Sequence, residues 1–354
     1  MKTLTLAAGT GTTELLFGER LRALDRLASG TKRFAITDAT VRELYGDRLE
    51  GFQILEMGQG EANKTLATVE RLYHDLLEAG ADRDSFVVGV GGGIVCDVAG
   101  FVASTYLRGL RFGFAPTTLL AQVDASVGGK NGVNLERYKN LVGSFNQPRF
   151  VLLDYEVLRT LPARELRCGM AEVVKAAAIA DPELFEFLED SAERVMALEP
   201  QAIARAVEGA VRVKAGVVTR DEKESGERML LNFGHTFGHA IEKTLGLPHG
   251  EAVSLGMVLA CDLAVAQGVL SRDAASRVER LLERIGLPTR TKLDPEAIAE
   301  AITKDKKRTG AQIKAILLER IGRAAIHPVS LSTLDPSHPP ALRAGQGPGE
   351  GVLR

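Results

Sequence analysis

The sequence predicts a two-domain chain, in which an α/β domain with a parallel sheet is followed by a mainly α-helical domain. In the first third, short apolar runs at 33–38, 53–58 and 85–91 alternate with helical segments such as 64–78. Strands that alternate with helices in this way are typical of a parallel sheet with helices on its faces. After residue 162 the strand signals largely disappear, which predicts a helical second half.

The length of the chain supports this division. At 354 residues it exceeds the size that one hydrophobic core usually serves. We place the α/β domain at 1–158, the helical domain at 159–330 and a flexible tail, rich in Pro, Gly and Ser, at 331–354. The helices of the second half are expected at 165–179, 182–198, 202–220, 235–245, 252–267 and 273–285.

Composition and charge exclude several classes of protein. Apolar residues at 45% and charged residues at 25% are ordinary for a globular enzyme and wrong for a disordered or fibrous chain. A net charge of −2 gives no electrostatic footprint for nucleic acid or anionic membrane, so we expect neither as a partner. The apolar stretch 252–270 contains Asp262 and Gln267, which favours a buried core helix over a membrane span.

The cysteines and the N-terminus indicate a cytoplasmic protein. The three cysteines are scattered and lack the CxxC spacing of a zinc or redox site, which suits a reducing compartment. The first residues lack the apolar core and cleavage site of a signal peptide. We therefore expect a cytoplasmic location.

A strand at 86–90 runs into Gly91, Gly92 and Gly93 and then into a helix of small residues that contains Asp97. A strand, a glycine turn and a helix N-terminus together form an anion site, because N–H groups and the helix dipole face the ligand. The spacing is not the GxGxxG of a standard dinucleotide fold. A tight turn that only permits close packing therefore stays open as an alternative.

The most informative stretch is 116–140, in which an apolar segment leads to Asp124, two glycines and Lys130, and then to Lys139 and Asn140. Glycines let backbone N–H groups approach a ligand closely. Lysine and asparagine side chains supply cations and amide donors suited to a phosphate. A plain glycine-rich turn is the alternative, but the tight grouping of charged and amide side chains favours a binding loop.

A candidate metal centre lies further along the chain. Three of the six histidines, His235, His239 and His249, fall within a short span, and the i,i+4 spacing of the first two makes both of them candidate ligands. A structural histidine is the alternative for each. Glu172 and Lys175 lie on one face of an apolar helix, where charged groups need partners or a ligand.

With these motifs the chain resembles the 3-dehydroquinate synthase family, the NAD- and metal-dependent cyclases of the shikimate pathway. The matching runs lie in order between about residues 35 and 320 and include 91–97, 116–134, 139–140, 169–175, 232–239, 249–252 and 305–307. The resemblance implies a Rossmann-like α/β domain that binds NAD and a helical domain that binds metal and substrate. It also implies one divalent ion, zinc or cobalt, and a homodimer. The reaction it implies converts 3-deoxy-D-arabino-heptulosonate 7-phosphate to 3-dehydroquinate and phosphate, with NAD regenerated in each turnover.

The resemblance also assigns roles to particular residues. It implies that the metal ligands are Glu172, His235 and His249, and that His239 contacts the substrate phosphate instead. Contacts with substrate hydroxyls and carboxylate are implied for Asp124, Lys175, Lys214, Arg228 and Asn232. Phosphate contacts are implied for Lys130, Asn140, Lys306 and Arg108, of which Arg108 reaches in from the other subunit. NAD contacts are implied for Asp38, Glu61, Lys64, Gly92, Gly93, Asp97, Thr117, Thr118, Lys130, Lys139 and Thr160.

Two neighbours of these residues depart from the family pattern. Asn131 stands where the family more often has Thr, and Tyr138 stands where a Gly usually precedes the Lys139–Asn140 pair. Neither is itself a contact residue, so the departures concern loop conformation rather than chemistry.

Several alternatives remain within and beyond this family. An amino-dehydroquinate synthase shares most of the motifs. Valiolone and deoxy-inosose synthases usually alter the turn from Asp124 to Lys130 and the positions of Asn232 or His239, which are intact here. A metal-dependent alcohol or glycerol dehydrogenase has the same architecture but releases NADH and lacks the phosphate-binding arrangement. A non-catalytic binding protein is disfavoured by the complete set of polar positions.

Overall fold

The computed structural model describes residues 2–136, 138–292, 308–309 and 312–330. The chain divides into two compact units. The first unit comprises Met1–Gly169 and Pro200–Glu224, and the second comprises Met170–Glu199 and the chain from Ser225 onward. The predicted tail at 331–354 lies outside the described residues.

The first unit is built on a parallel sheet. Its strands are β1 Lys2–Ala8, β2 Gly11–Phe17, β3 Arg33–Asp38, β4 Gln53–Met57, β5 Phe86–Gly91, β6 Arg111–Pro116, β7 Lys130–Leu135, β8 Tyr138–Phe145 and β9 Phe150–Leu153. Seven of them form one sheet in the order β1-β2-β9-β6-β5-β3-β4, in which only β1 and β2 pair antiparallel. Strands β7 and β8 form a separate antiparallel hairpin. The predicted parallel sheet is confirmed.

The six helices expected in the second half of the chain begin and end within three residues of their predicted bounds. The α-helices of the described residues are α1 Leu24–Leu27, α2 Ala39–Tyr45, α3 Leu66–Glu78, α4 Gly93–Thr105, α5 Ala163–Ala180, α6 Pro182–Met196, α7 Pro200–Arg220, α8 His235–Leu245, α9 His249–Ala266 and α10 Arg272–Ile285. Side-chain caps fix several starts. The hydroxyl of Thr65 accepts from the N–H of Thr68 at the start of α3, and Ser271 accepts from Ala274 at the start of α10.

Helix α7 groups with the first unit, although the boundary after residue 158 assigned it to the second domain. Its buried face packs against β1 and against the turn Ala121–Ala125. Periodicity identifies which face of a helix is buried but not which element covers it, so the sequence could not assign this helix to a unit.

The second unit is mainly helical, as predicted, but it also contains a small sheet. Strands β10 Arg308–Thr309, β11 Gln312–Arg320 and β12 Arg323–Ser330 pair antiparallel in chain order. These strands were not predicted from the sequence. Residues 315–318 of β11 are all buried, and a short continuous apolar run has no period that separates a buried strand from a helix.

Helix α9 is long and apolar enough to cross a membrane by length and composition, but 61% of it is buried inside the protein. Core helices of globular proteins can have the same length and composition, which agrees with the core helix predicted for this stretch.

Close packing of α8 against α9 positions the candidate metal centre. A Cβ added to Gly256 of α9 would come within 2.0 Å of the carbonyl oxygen of Gly234, and one added to Gly238 of α8 would come within 3.1 Å of Ala252 O. Gly234 itself has a φ of 77°, which favours glycine. Glycines at these points let the two backbones approach, so that His235 and His249, the first residues of α8 and α9, meet.

Candidate active site

A carboxylate and two imidazoles converge in the second unit. Glu172 lies in α5, and its carboxylate and the ring nitrogens of His235 and His249 all lie within 4.8 Å of one another. The Nε2 atoms of His235 and His249 lie 3.7 and 3.4 Å from Glu172 Oε1. One carboxylate and two histidines are a usual ligand set for zinc and similar ions. These residues therefore fit a divalent cation.

The surroundings of Glu172 support this fit. Its side chain is 2% exposed, and that of Lys175, one turn along α5, is 4% exposed. The two groups are in close charge contact, yet neither oxygen of Glu172 takes part in a hydrogen bond of regular geometry within the described part of the chain. A buried carboxylate without directed donors is costly unless a further cation approaches it.

The protonation states of the three groups are set by burial and by one another. Burial acts to raise the pKa of Glu172, but Lys175 and the two histidines outweigh it and hold this pKa well below its ordinary value. Burial, aided by Lys175, lowers the pKa of His235 well below its ordinary value. Burial also acts to lower the pKa of His249, but the nearby carboxylates of Glu172 and Glu242 raise it to about 9. An ionised carboxylate and a neutral His235 are in the states that metal ligation requires.

His239 lies beside this group but is not a member of it. Its ring centroid is 5.1 Å from that of His235 and 6.3 Å from that of His249. Among the described residues, the ligand atoms that lie close to one another belong to Glu172, His235 and His249, and not to His239. The geometry therefore agrees with the ligands implied by family resemblance better than with the pair, His235 and His239, that the i,i+4 spacing indicated. A phosphate contact for His239 stays a prediction.

In the first unit, the glycine turn after β5 starts helix α4 with Gly92 as the capping residue. A Cβ added to Gly91 would come within 2.6 Å of Val95 Cβ, and one added to Gly93 within 3.1 Å of Ala125 Cβ. Close packing, the alternative from the sequence, is therefore one reason for these glycines. The first-turn N–H groups of α4 have no side-chain cap, because the capping residue is a glycine, and an anion role for this helix end stays a prediction.

A buried lysine joins the candidate NAD residues to the candidate phosphate loop. Lys64 is 4% exposed, and its ammonium donates to the carboxylate of Asp97 and to Oδ1 of Asn140. Asn134 connects the same residues: its N–H donates to Lys64 O at 2.8 Å, and its amide donates to Glu61 Oε1 at 2.7 Å. The structure thus brings together Glu61, Lys64, Asp97 and Asn140. Asn134 was not singled out from the sequence, although it lies in the matched run 116–134.

The carboxyl of Asp97 differs from that of Glu172. Burial raises the pKa of Asp97, Lys64 opposes the rise, and the nearby charges of Asp124 and Glu61 add to it. A second lysine, Lys214 of α7, donates to Asp124 O at 2.6 Å and also contacts the carboxylate of Asp124. Lys214 and Asp124, both predicted substrate contacts, are therefore direct neighbours.

Lys130 follows two glycines with positive φ, Gly128 at 107° and Gly129 at 68°. Its side chain is 47% exposed and forms an ion pair with Glu224. Glu224 was not identified from the sequence. The segment 221–227 contains four acidic residues, and that charge run was the available signal.

Several predicted NAD residues have structural hydrogen bonds of their own. The carboxylate of Asp38 caps α2 by accepting from Val41 N at 3.1 Å. The hydroxyl of Thr118 accepts from Ala121 N at 3.1 Å, and that of Thr160 donates to Val157 O at 3.0 Å. The N–H of Thr117 donates to Gly91 O at 2.9 Å, and Lys139 is exposed on β8. Their roles toward NAD stay predictions.

The remaining predicted residues are spread over both units. Arg108 is exposed and has a φ of 67°, which is uncommon for a residue with a side chain. In the second unit, Arg228 is buried and Asn232 is half-buried on the turn Glu227–Asn232, which precedes α8. Lys306 lies outside the described residues.

A helix with a glycine cap after a parallel strand and a buried Glu-His-His group on a helical unit are typical of nucleotide- and metal-dependent enzymes. Family profiles identify the particular group. Residues 54–168 match the 3-dehydroquinate synthase N-terminal domain, and residues 169–308 match the 3-dehydroquinate synthase C-terminal domain. The chain belongs to the 3-dehydroquinate synthase family.

Individual relatives agree with this assignment. A 3-dehydroquinate synthase from Halorhodospira halophila is 50% identical over 249 residues, which cover 69% of this chain and 70% of that protein. A crystal structure of 2-deoxy-scyllo-inosose synthase, complexed with carbaglucose-6-phosphate, NAD+ and Co2+, is 29% identical with a TM-score of 0.84 and covers 94% of this chain and 99% of that one. The 2-epi-5-epi-valiolone synthase of Streptomyces hygroscopicus subsp. jinggangensis, with NAD+ and Zn2+ bound, is 30% identical with a TM-score of 0.85 over 93% of this chain and 96% of that one.

Proposed function

We propose that the chain is a 3-dehydroquinate synthase, a carbon–oxygen lyase of the shikimate pathway. It converts 3-deoxy-D-arabino-heptulosonate 7-phosphate to 3-dehydroquinate and phosphate, a step toward chorismate and the aromatic amino acids. The observation that carries the proposal is the Glu172–His235–His249 group, found in a chain that is 50% identical to a 3-dehydroquinate synthase over most of its length.

The first unit binds NAD in this proposal. The N-terminus of α4 and its glycines receive the pyrophosphate, and Asp38, Lys64 and Asp97 lie at or near the carboxyl ends of parallel strands, where such folds bind nucleotides. When bound, NAD would supply reversible hydride transfer with a substrate alcohol, with no net consumption of the cofactor. Lys64 holds Asp97 and Asn140 in fixed positions for this ligand.

The second unit holds one divalent ion, zinc or cobalt, through Glu172, His235 and His249. When bound, this ion supplies Lewis-acid stabilisation of negative charge on the substrate oxygen. Lys175 keeps Glu172 ionised at neutral pH, because its charge lowers the pKa of that carboxyl. In the second unit, Lys175, Arg228 and Asn232 are proposed to contact substrate hydroxyls or carboxylate. The same kind of contact is proposed separately for Asp124 and Lys214 of the first unit.

The substrate phosphate is bound by cations and amide donors in this proposal. The residues are Lys130, Asn140, His239, Arg108 and Lys306. Lys130 is ready for this role, since its side chain is about half exposed and follows a turn with two left-handed glycines. A bound phosphate would share Lys130 with Glu224 or replace that carboxylate as its partner.

The enzyme is proposed to be a homodimer in the cytoplasm. Large apolar side chains are exposed on the β7–β8 hairpin and in the turn that carries Arg108; they are Leu107, Leu135, Tyr138, Leu141 and Phe145. Leu107 and Arg108 both have positive φ, a strained conformation for residues with side chains that often marks a functional turn. All three cysteines are unbridged and buried, which suits a reducing compartment. Sedimentation of the purified chain tests the dimer.

The decisive experiment incubates the purified chain with NAD, Co2+ or Zn2+ and the heptulosonate phosphate. The proposal expects phosphate and 3-dehydroquinate to form in equal amounts without net NADH. Steady accumulation of NADH from a simple alcohol would instead indicate an alcohol or glycerol dehydrogenase. Turnover of only the amino analogue of the substrate would indicate an amino-dehydroquinate synthase, and no turnover of any sugar phosphate would indicate a binding protein.

A further inference from the structure

The two histidines of the Glu172–His235–His249 group are oriented by different kinds of partner. The Nδ1 atom of His235 lies 3.2 Å from the backbone carbonyl oxygen of Phe233. The Nδ1 atom of His249 lies 3.2 Å from Oε2 of Glu242, a side chain of α8. The carbonyl oxygen at position 233 would be present with any side chain there, whereas the acceptor for His249 exists only because residue 242 is a glutamate.

We propose that Glu242 is a positioning residue that orients His249 for metal binding, an inference that rests on the metal centre of the proposed function. A neutral imidazole donates from one ring nitrogen and accepts or ligates through the other. In the neutral imidazole that ligates a metal, donation from Nδ1 to Glu242 leaves the lone pair on Nε2, which is the nitrogen that lies 3.4 Å from Glu172 Oε1. Glu242 thus selects the tautomer and the ring orientation that point Nε2 at the ion.

His249 needs this constraint more than His235 does. The side chain of His249 is 29% exposed, compared with 10% for His235, so packing restricts its ring less. The side chain of Glu242 is 18% exposed. Partial shielding from water strengthens a hydrogen bond to a carboxylate, because the local dielectric constant is lower.

The position of Glu242 in the fold links the two histidines. It lies in α8, the helix that begins with His235, and it faces the first residue of α9. Helix α8 therefore supplies one ligand and orients another. A shift of α8 relative to α9 would disturb both at once, and the glycine contacts between the helices resist such a shift.

The test uses the full-length chain loaded with Co2+, whose d–d absorption reports the geometry of its ligands. Glu242→Ala removes both the charge and the acceptor, whereas Glu242→Gln removes the charge and keeps an acceptor oxygen of similar reach. Lys243→Ala, at the adjacent exposed position of the same helix, is the matched control. Circular dichroism of each variant verifies that α8 and the rest of the fold are retained.

We expect Glu242→Ala to weaken Co2+ binding, measured by competition with a chelator, by about 10- to 100-fold and to change the d–d spectrum. Glu242→Gln should lose less affinity and keep a spectrum closer to that of the original chain, and Lys243→Ala should match the original chain. Unchanged affinity in Glu242→Ala would overturn the inference alone, as would equal losses in both Glu242 variants with an unchanged spectrum. Failure of the original chain to bind Co2+ would overturn the metal centre and this inference together.

Discussion

Two buried carboxyls, one in each unit, each contact a lysine, yet their pKa values shift in opposite directions. Lys64 contacts Asp97 in the first unit, and Lys175 contacts Glu172 in the second. The two lysines are similarly buried, at 4% and 3% exposure. Nevertheless the pKa of Asp97 is raised, mainly by burial, whereas the pKa of Glu172 is held well below its ordinary value by Lys175 and two histidines in spite of burial.

The neighbours beyond each pair explain the difference. Asp97 has other acids nearby, Asp124 and Glu61, which add to the effect of burial. Glu172 has His235 and His249 beside it, which add to the effect of Lys175. A salt bridge by itself therefore does not decide whether a buried carboxyl stays ionised; the sum of the surrounding charges does. The second unit keeps a carboxylate ready for a cation, while in the first unit Lys64 contacts Asp97 and Lys214 contacts Asp124.

The largest effect is expected from Glu172→Ala. It removes a ligand and leaves Lys175 buried without its carboxylate, so metal binding is lost and phosphate release falls by roughly 10³-fold. Metal content and the rate of phosphate release measure this. Glu78→Ala, at an exposed position of α3, serves as the control and should bind metal normally. A Glu172→Ala protein that retained its metal would contradict the ligand assignment.

Lys64→Met tests the other pair and should destabilise the chain by about 3–5 kcal/mol near neutral pH, because Asp97 is left buried beside other acids. The pKa of Asp97 in the folded protein already lies above its ordinary value, so the folded protein binds this proton more tightly than the unfolded chain does. Stability therefore falls as the pH rises from the ordinary pKa of an aspartate toward the raised pKa of Asp97. Removing the lysine enlarges this shift. Urea unfolding should therefore show a greater loss at about pH 8 than at about pH 5; an equal loss at both would contradict the charge argument.

Lys130→Ala separates function from stability, because its ion pair with Glu224 is exposed. Such a pair contributes less than about 1 kcal/mol, so the melting temperature should change little. The Michaelis constant for the heptulosonate phosphate should rise by about 10-fold or more, as expected when a charged contact worth about 1.5–3 kcal/mol is lost. Glu224→Gln is the companion variant and should leave affinity for phosphate equal or tighter. Unchanged kinetics in Lys130→Ala would remove that residue from the phosphate site.

The smallest effect is expected at Asp38, where a structural and a proposed binding role coincide. Asp38→Ala removes the cap of α2 and should cost about 1 kcal/mol of stability. Asp38→Asn keeps a capping oxygen and should retain the stability, while both variants should weaken NAD binding. Thermal unfolding and fluorescence titration with NADH measure the two effects. Equal NADH affinity in all three proteins would show that Asp38 only caps the helix.

Local pattern was sufficient to predict much of the fold. The run 33–38 is β3 and the segment 235–245 is α8, each with the predicted bounds, because apolar period and turn residues are local properties. The short apolar run of β11 has no such period, and the small sheet of β10, β11 and β12 was not predicted. Lys306, a predicted phosphate contact, and the predicted tail at 331–354 lie outside the described residues.

The sequence by itself determined which side chains are available: the glycine turn before α4, the Lys130 loop, and the carboxylate and histidines of the second unit, in an order that resembles one enzyme family. Helical spacing alone pairs His235 with His239, whereas the family resemblance implied Glu172, His235 and His249. Only the tertiary structure decided by what packing those three meet: α8 and α9 approach closely, and α5 adds Glu172. The structure alone identified Glu224 as a partner of Lys130, Asn134 as a partner of Glu61, and Glu242 as a partner of His249. Contacts between distant segments depend on how helices and strands pack, and they produce no periodic pattern in the sequence.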